Sequence, residues 1–305
     1  MSADGTLVYA PKDPDAPPSV LGWTSRAGVF SEIASLPTGT DVAALSPDGR
    51  LAVLSVYGTS KLSLFDLARK VPTPLDLHGR QVESVTWHPD GKRVTLGGAY
   101  LSLLDPDTLT ETRLTPIGRP KRFPSWTADG LHVAYMTFEP SNDIFTVSLK
   151  PGASEVDGDP RPLIATAAVE SDPAISPNGH WIAYRSRSDQ SSGRNDVYLA
   201  RFPDGTGRVQ VTNNGGGRPF WSPKGDELFF GAPPGVLQVA PVSFGDRAQL
   251  GTVQTLFPLG DYDSFSVSPD GSRFLVVKSP PITPPRQLVV VQNWLSELTR
   301  TVPAR

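Results

Sequence analysis

The sequence predicts an all-β fold, a seven-bladed β-propeller of four-stranded antiparallel blades, with a six-bladed ring as the alternative. Three observations lead there. Glycine (28) and proline (32) make about a fifth of the 305 residues without a low-complexity period, the composition of many short strands joined by turns. A motif of one apolar or aromatic residue followed by Ser-Pro-Asp-Gly, or a near relative, recurs seven times. Its glycines, at 5, 49, 91, 130, 179, 225 and 271, stand 44, 42, 39, 49, 46 and 46 residues apart, a spacing within the range of propeller blades.

The copies are Met1-Ser2-Ala3-Asp4-Gly5, Leu45-Ser46-Pro47-Asp48-Gly49, Trp87-His88-Pro89-Asp90-Gly91, Trp126-Thr127-Ala128-Asp129-Gly130, Ile175-Ser176-Pro177-Asn178-Gly179, Trp221-Ser222-Pro223-Lys224-Gly225 and Val267-Ser268-Pro269-Asp270-Gly271. Each part has hairpin chemistry: Pro presets φ, Asp or Asn bonds nearby backbone amides, and Gly accepts positive φ. An apolar strand follows each glycine, for example Ile182-Ala183-Tyr184 or Leu228-Phe229-Phe230. A third strand comes next, as at Ile144 to Leu149 and Val197 to Phe202, and a short fourth closes each unit, as at Val209 to Thr212. One such sheet cannot bury both its faces, so radial stacking is predicted, with Trp87, Trp126 and Trp221 as core residues between blades.

A single domain spanning 1–305 is predicted, with blades at roughly 1–38, 39–79, 80–119, 120–168, 169–214, 215–259 and 260–305. The first begins at its turn, and the last carries three strands, at about 262–268, 272–277 and 286–292. Ring closure is expected with the two ends side by side. Trp294 to Arg300 is expected to form one or two helical turns against the final blade, Lys150 to Arg161 a flexible loop, and Ser279 to Pro285 a semi-rigid extended arm.

The function classes narrow on charge and motif. Lys plus Arg (28) against Asp plus Glu (31) leaves −3, so no electrostatic case exists for nucleic acid as a partner or for an anionic membrane. No cysteine is present, which excludes disulfides and thiolate metal sites. The N-terminal stretch has no signal-peptide pattern and no run of about 18 apolar residues occurs, so the chain itself is expected to make no membrane insertion. Gly-x-Ser-x-Gly is missing, and the repeat turns lack the spacing of sialidase Asp-boxes. A non-catalytic module without cofactors is therefore expected, the alternative being the propeller of a peptidase-type hydrolase separated from its catalytic domain. His88, His132 and His180 read as surface substitutions in or just past the turns, His78 lies in an inter-blade linker, and no pair has metal-site spacing. Asp261-Tyr262-Asp263 and Asn142-Asp143 have oxygen ligands suited to calcium but lack the spacing of a dedicated loop.

In a propeller of this strand order, the inter-blade linkers and the loops between second and third strands share the face around the central channel, and loops on a rigid scaffold carry recognition. The linkers place Asp41, Arg80, Glu83, Lys121, Arg122, Phe123, Glu170, Asp172, Arg218, Asp261, Tyr262 and Asp263 there, with Arg185, Arg187, Asp189 and Arg194 added by the loop of the fifth unit. This mixed-charge rim is the candidate site for a protein or a small polar ligand.

The repeats, an aromatic-Ser-Pro-Asp-Gly turn followed by a strand and then an Ile-Tyr-Val-type strand, resemble the TolB-like, WD40-like propellers of bacteria along the whole chain. More narrowly, Arg218 to Gly225, Ser266 to Leu275 and Gln292-Asn293-Trp294-Leu295-Ser296-Glu297-Leu298 resemble the C-terminal propeller of bacterial eukaryotic-like serine/threonine kinases. That resemblance implies an extracytoplasmic sensor or protein-docking module. Phosphoryl transfer is not carried over, because no Gly-rich nucleotide loop, His-Arg-Asp or Asp-Phe-Gly occurs. The truncated first repeat is expected to mark a detached piece of a longer protein or a shortened gene.

Overall fold

The computed structural model describes residues 6–9, 17–56, 59, 61–138, 142–152, 155–187, 193–245, 247–260, 262–278, 289–292 and 294. The chain divides into two units, one of residues 19–279 and one of residues 1–18 with 280–305. In the smaller unit Leu7–Tyr9 pairs antiparallel with Val289–Val291. Among the described residues no helix is long and apolar enough to cross a membrane.

Residues 19–279 form six antiparallel four-stranded blades, each counted here from its innermost strand outward. Blade 1 is Thr40–Leu45, Leu51–Val56, Leu62–Asp66 and Val71–Leu75; blade 2 is Ser84–Trp87, Val94–Gly97, Ser102–Leu104 and Glu111–Arg113. Blade 3 is Lys121–Trp126, His132–Thr137, Asp143–Leu149 and Val156–Ile164, and blade 4 is Val169–Ile175, Trp181–Arg187, Asp196–Arg201 and Val209–Gln210. Blade 5 is Gly217–Trp221, Glu227–Ala232, Val236–Phe244 and Gln254–Pro258, with Ala248–Leu250 paired to the far end of its long third strand. Blade 6 joins Tyr262–Val267 and Arg273–Lys278 to Ser19–Ser25 and Phe30–Leu36.

The ring thus has six blades and not seven. Residues 19–36 make no blade of their own: Ser19–Ser25 runs against Arg273–Lys278 from Val20↔Lys278 to Ser25↔Arg273 and supplies the third strand of the last blade. The segment at 286–292 expected in that place has its strand, Val289–Val291, paired elsewhere. The physical reason is edge satisfaction. A last blade ending at Arg273–Lys278 would leave an unpaired row of backbone donors and acceptors, which the earlier segment covers. Leu21 then packs with Leu275 and Val277 of the same blade and Ala52, Leu54 and Phe65 of blade 1, all buried. At the tip of the imported hairpin, Arg26 donates to both carboxylate oxygens of Glu227 in blade 5, at 2.7 and 2.6 Å.

The repeated turns work as their residues predict. Ser46 Oγ donates to Asp48 Oδ1 (2.6 Å) and accepts from Leu51 N–H (2.9 Å), while Gly49, at φ +73°, donates to Ser46 O (2.9 Å). Thr127 with Asp129, Ser176 with Asn178 and Ser268 with Asp270 repeat this side-chain bond. Where Lys224 replaces the acid, Asp226 takes over as partner of Ser222, at 2.7 Å. His88 departs from the surface position expected of it. It stands in the serine place, buried, with its ring edge-on to Trp126 and its Nε2 3.3 Å from Gly130 O, so it ties the turn of blade 2 to that of blade 3. His132 is half-buried and within hydrogen-bonding distance of Ser148 Oγ, and His180 is exposed.

The tryptophans before the turns are core, as expected. Each indole N–H reaches the preceding blade: Trp87 to Ala44 O, Trp126 to Thr95 Oγ1 and Trp221 to Ala174 O. Lys150 to Arg161 is not a loop throughout, since Val156–Ile164 pairs with Asp143–Leu149 across two register shifts. The expected arm at 279–285 lies outside the described residues, as does all of the expected helical segment beyond Trp294 except that residue itself.

Two predictions follow from this construction. A Cβ on Gly22 would lie 2.5 Å from the Phe30 ring and from Ser31 O, so Gly22→Ala should cost about 1 to 3 kcal/mol in urea unfolding; an unchanged midpoint would contradict the pairing. Hydrogen bonds from Ser268 and from Ser272 hold the Asp270 carboxyl down to about 2, below its ordinary 3.8. A depressed folded value means the stabilisation is full above pH ~4 and is lost as pH falls toward ~2. Ser268→Ala should raise the Asp270 pKa in an NMR titration and flatten acid unfolding in that window.

Candidate functional site

The site is built by breaks in the innermost strands. In five of the six blades the ladder between first and second strands shifts register, between Val42 and Ala44, Arg122 and Ser125, Ser171 and Ala174, Gly217 and Phe220, and Tyr262 and Phe265. A bulge of this kind re-aims side chains next to a site. In blades 3, 4 and 5 the same place holds a residue before proline: Phe123-Pro124, Asp172-Pro173 and Arg218-Pro219, at φ +54°, +53° and +48°. Left-handed backbone at a non-glycine residue costs of order 1 to 3 kcal/mol and persists where the surroundings over-determine it.

These three residues, with Asp41, Glu83 and Phe265, line a cavity of about 460 Å³ to which all six blades contribute. Phe123 is 39% exposed, an aromatic face left open to solvent. Asp172 is almost buried, at 7%, and its Oδ2 lies 3.1 Å from Arg185 Nε. That nitrogen's hydrogen points instead at Ser171 Oγ, 2.8 Å away, so Oδ2 is held by charge and accepts no hydrogen bond among the described residues. The mouth therefore offers an apolar ring, carboxylates and a guanidinium within one cavity, groups that can orient a polar ligand by charge.

The structure separates the residues predicted for this rim. Asp41, Glu83, Phe123, Asp172 and Arg218 come together at the cavity. Arg122 stands beside it, ion-paired with Glu83 and 5.0 Å from the Phe138 ring centroid, bridging blades 3 and 2. Lys121 donates its Nζ hydrogen to Arg119 O (2.8 Å) and does not line the cavity. Arg80 is no rim residue. Its side chain is 11% exposed, paired with Glu111, bonded to Ser102 Oγ and Tyr100 O, and stacked 4.1 Å from the Tyr100 ring centroid, so it staples blade 2 internally. Glu170 is not presented either: it is 1% exposed, burial pushes its carboxyl above the ordinary value, and it accepts from the Thr166 hydroxyl. Tyr262 and Asp263 fall in the innermost strand of blade 6, and Asp261 and Asp189 lie outside the described residues. Arg194 is 3.1 Å from Asp196, and Arg187 Nε is buried with no hydrogen-bond partner among the described residues. Among the described residues no group of three or more His, Asp or Glu side chains is placed to hold a metal ion.

Sequence reasoning missed the prolines, and with them Phe220 and Phe265 in the cavity wall. The signal was available. Phe123-Pro124-Ser125-Trp126, Asp172-Pro173-Ala174-Ile175 and Arg218-Pro219-Phe220-Trp221 share one proline position ahead of the turn motif.

No protein-family model and no curated protein sequence matches the chain. Solved structures do. A putative TolB from Agrobacterium tumefaciens superposes with TM-score 0.69 at 23% identity, covering 88% of this chain and 100% of that one. Hydrazine synthase of Kuenenia stuttgartiensis gives 0.60 at 16% identity over 93% and 99% of the two chains. TolB from Acinetobacter baumannii gives 0.53 at 16%, over 78% of this chain and 63% of that one. At such identities the likeness establishes the fold, a TolB-like β-propeller, and extends no further.

The geometry separates rim from staple by stability. Arg80→Ala should lose about 2 kcal/mol or more, since it orphans Glu111 and two acceptors, whereas Arg218→Ala should change stability by less than about 1 kcal/mol. At φ +48°, Arg218→Gly should then be more stable than Arg218→Ala by about 1 kcal/mol. Urea unfolding of the three variants reads all of this, and an Arg218→Ala loss equal to that of Arg80→Ala would contradict the assignment.

Proposed function

We propose that the chain is a non-catalytic binding module that captures a protein or a small polar ligand at the mouth of its central channel, as the sensor or interaction part of a bacterial signalling protein. One observation carries the binding site. Phe123, Asp172 and Arg218 occupy equivalent places in three successive blades, each in left-handed backbone, and line one shared cavity. Strain repeated at non-glycine residues around a cavity is the pattern of a site whose side-chain directions matter more than local stability. The open phenylalanine ring flanked by charges suits a partner that presents an apolar group with polar neighbours. The signalling context is supported by the kinase-propeller resemblance of Arg218 to Gly225 and Ser266 to Leu275.

The test is capture from the native host with Phe123→Ala and Arg218→Glu as separate controls. Arg122 is unsuitable as the reversed residue, because a glutamate there would face Glu83 and loosen the blade junction. A partner held by the parent protein should be lost from both variants while Tm stays within about 2 °C. A partner retained equally by both would place recognition elsewhere.

A further inference from the structure

A smaller space, of about 220 Å³, lies at the seam of blades 5 and 6, lined among the described residues by Gly217, Arg218, Gly231, Leu259 and Phe265. Arg218 and Phe265 also line the cavity at the channel mouth, so the two spaces share walls. The smaller one exists because a pair of side chains is missing. The ladder pair just before the strand break is Val42 with Leu54 in blade 1, Arg122 with Met136 in blade 3, Ser171 with Arg185 in blade 4 and Tyr262 with Lys278 in blade 6. In blade 5 it is Gly217 with Gly231.

Neither glycine is required by its own backbone. Both lie within strands, and neither has φ in the left-handed region. A Cβ added to Gly231 would meet Leu259 Cδ1 at 3.5 Å and Gly217 O at 3.7 Å, ordinary contacts, and one added to Gly217 would press at 3.0 Å only on Cδ of the flexible Arg185 side chain. Glycine weakens a strand interior, and where no bulge or bend calls for it, it marks the close approach of a ligand or another backbone. Both glycines here line an open space.

The walls of that space are fixed and largely apolar. Leu259 N–H donates to Gly235 O at 2.7 Å, which anchors the linker between the two blades. The Phe265 ring centroid lies 4.7 Å from that of Phe220, which in turn stacks on Phe229 at 5.2 Å. A ring entering beside Phe265 would join this cluster, and aromatic pairs gain attraction beyond the area they bury. An apolar cavity of about 150 Å³ holds benzene, so the space between Leu259, Phe265 and the glycine backbone has the size for one ring.

We propose that this space is a side pocket for one aromatic ring of a small molecule whose polar part lies at the channel mouth, and that Gly231 keeps it open. The inference rests on the reading of the mouth as the binding site, and it names the class of ligand taken there: a small aromatic compound bearing a polar group.

Ligand-observed NMR titration of the whole chain with benzyl alcohol tests the pocket, with butan-1-ol, which has the hydroxyl but no ring, as the second arm. Benzyl alcohol should bind about 10-fold or more tightly than butan-1-ol, and Gly231→Val, which fills the space, should weaken it by about 10-fold or more. Phe123→Ala, at the mouth and outside the pocket, should leave it unchanged. No binding of benzyl alcohol, equal binding of butan-1-ol, loss in Phe123→Ala, or affinity retained in a Gly231→Val protein of unchanged Tm overturns the proposal. Should Gly231→Val fail to fold, Gly231→Ala decides: its Cβ makes only ordinary contacts, and the one added methyl should weaken benzyl alcohol by about 3-fold. The pocket and the mouth fail separately. A host partner whose capture depends on Phe123 and Arg218, alongside no benzyl alcohol binding, overturns the pocket and leaves the mouth standing.

Discussion

The pairing of Ser19–Ser25 with Arg273–Lys278 is the constraint on which the molecule depends. Blades 1 to 5 are each made from one continuous stretch of chain and are local hairpin products. Blade 6 is not, since its two halves lie more than two hundred residues apart in sequence. Within residues 19–279 its ladder is the contact of highest closure entropy, and it is met by good packing: Leu21, Leu275 and Val277 are buried, and Arg26 forks onto Glu227 of the neighbouring blade.

Closure sets the inner geometry. With six blades around the axis, the first strands approach one another closely enough for residues of every blade to line one cavity. The prolines then act at short range. Pro124, Pro173 and Pro219 each follow a residue forced to positive φ beside a register shift, and the preceding side chain joins the cavity lining. Turn chemistry, indole hydrogen bonds between blades and the strand breaks are thus three layers of one arrangement, each repeated with small substitutions such as His88 for serine or Asp226 for the missing turn acid.

The blade type was legible in the sequence because the Ser-Pro-Asp-Gly turn is a local signal: its hydrogen bonds are made within five residues. Blade number was not, because turn count reports hairpins and says nothing of which distant strand completes a sheet. Ser19–Ser25, which the turn count assigns to a first blade, instead completes the last one. The same limit explains Arg80 and Glu170. Both stand in linker or inner-strand positions that suggest exposure, and both are drawn inward by partners remote enough in sequence, or by burial deep enough, that spacing cannot reveal them. Asp41, Glu83, Phe123, Asp172 and Arg218 were legible because position within the repeat does determine direction toward the axis. The glycine pair 217 and 231 was invisible as a pair, since only sheet register brings the two together.

Because every blade supplies part of the central cavity, no subset of blades reproduces its shape. An occupant held there would contact both the blades made from one continuous stretch and the composite final blade, and would dissociate when the seam between residues 19–25 and 273–278 parts. Occupancy and the latch are linked equilibria: whatever binds the assembled circle and not the opened chain tightens the latch by the free energy of that binding.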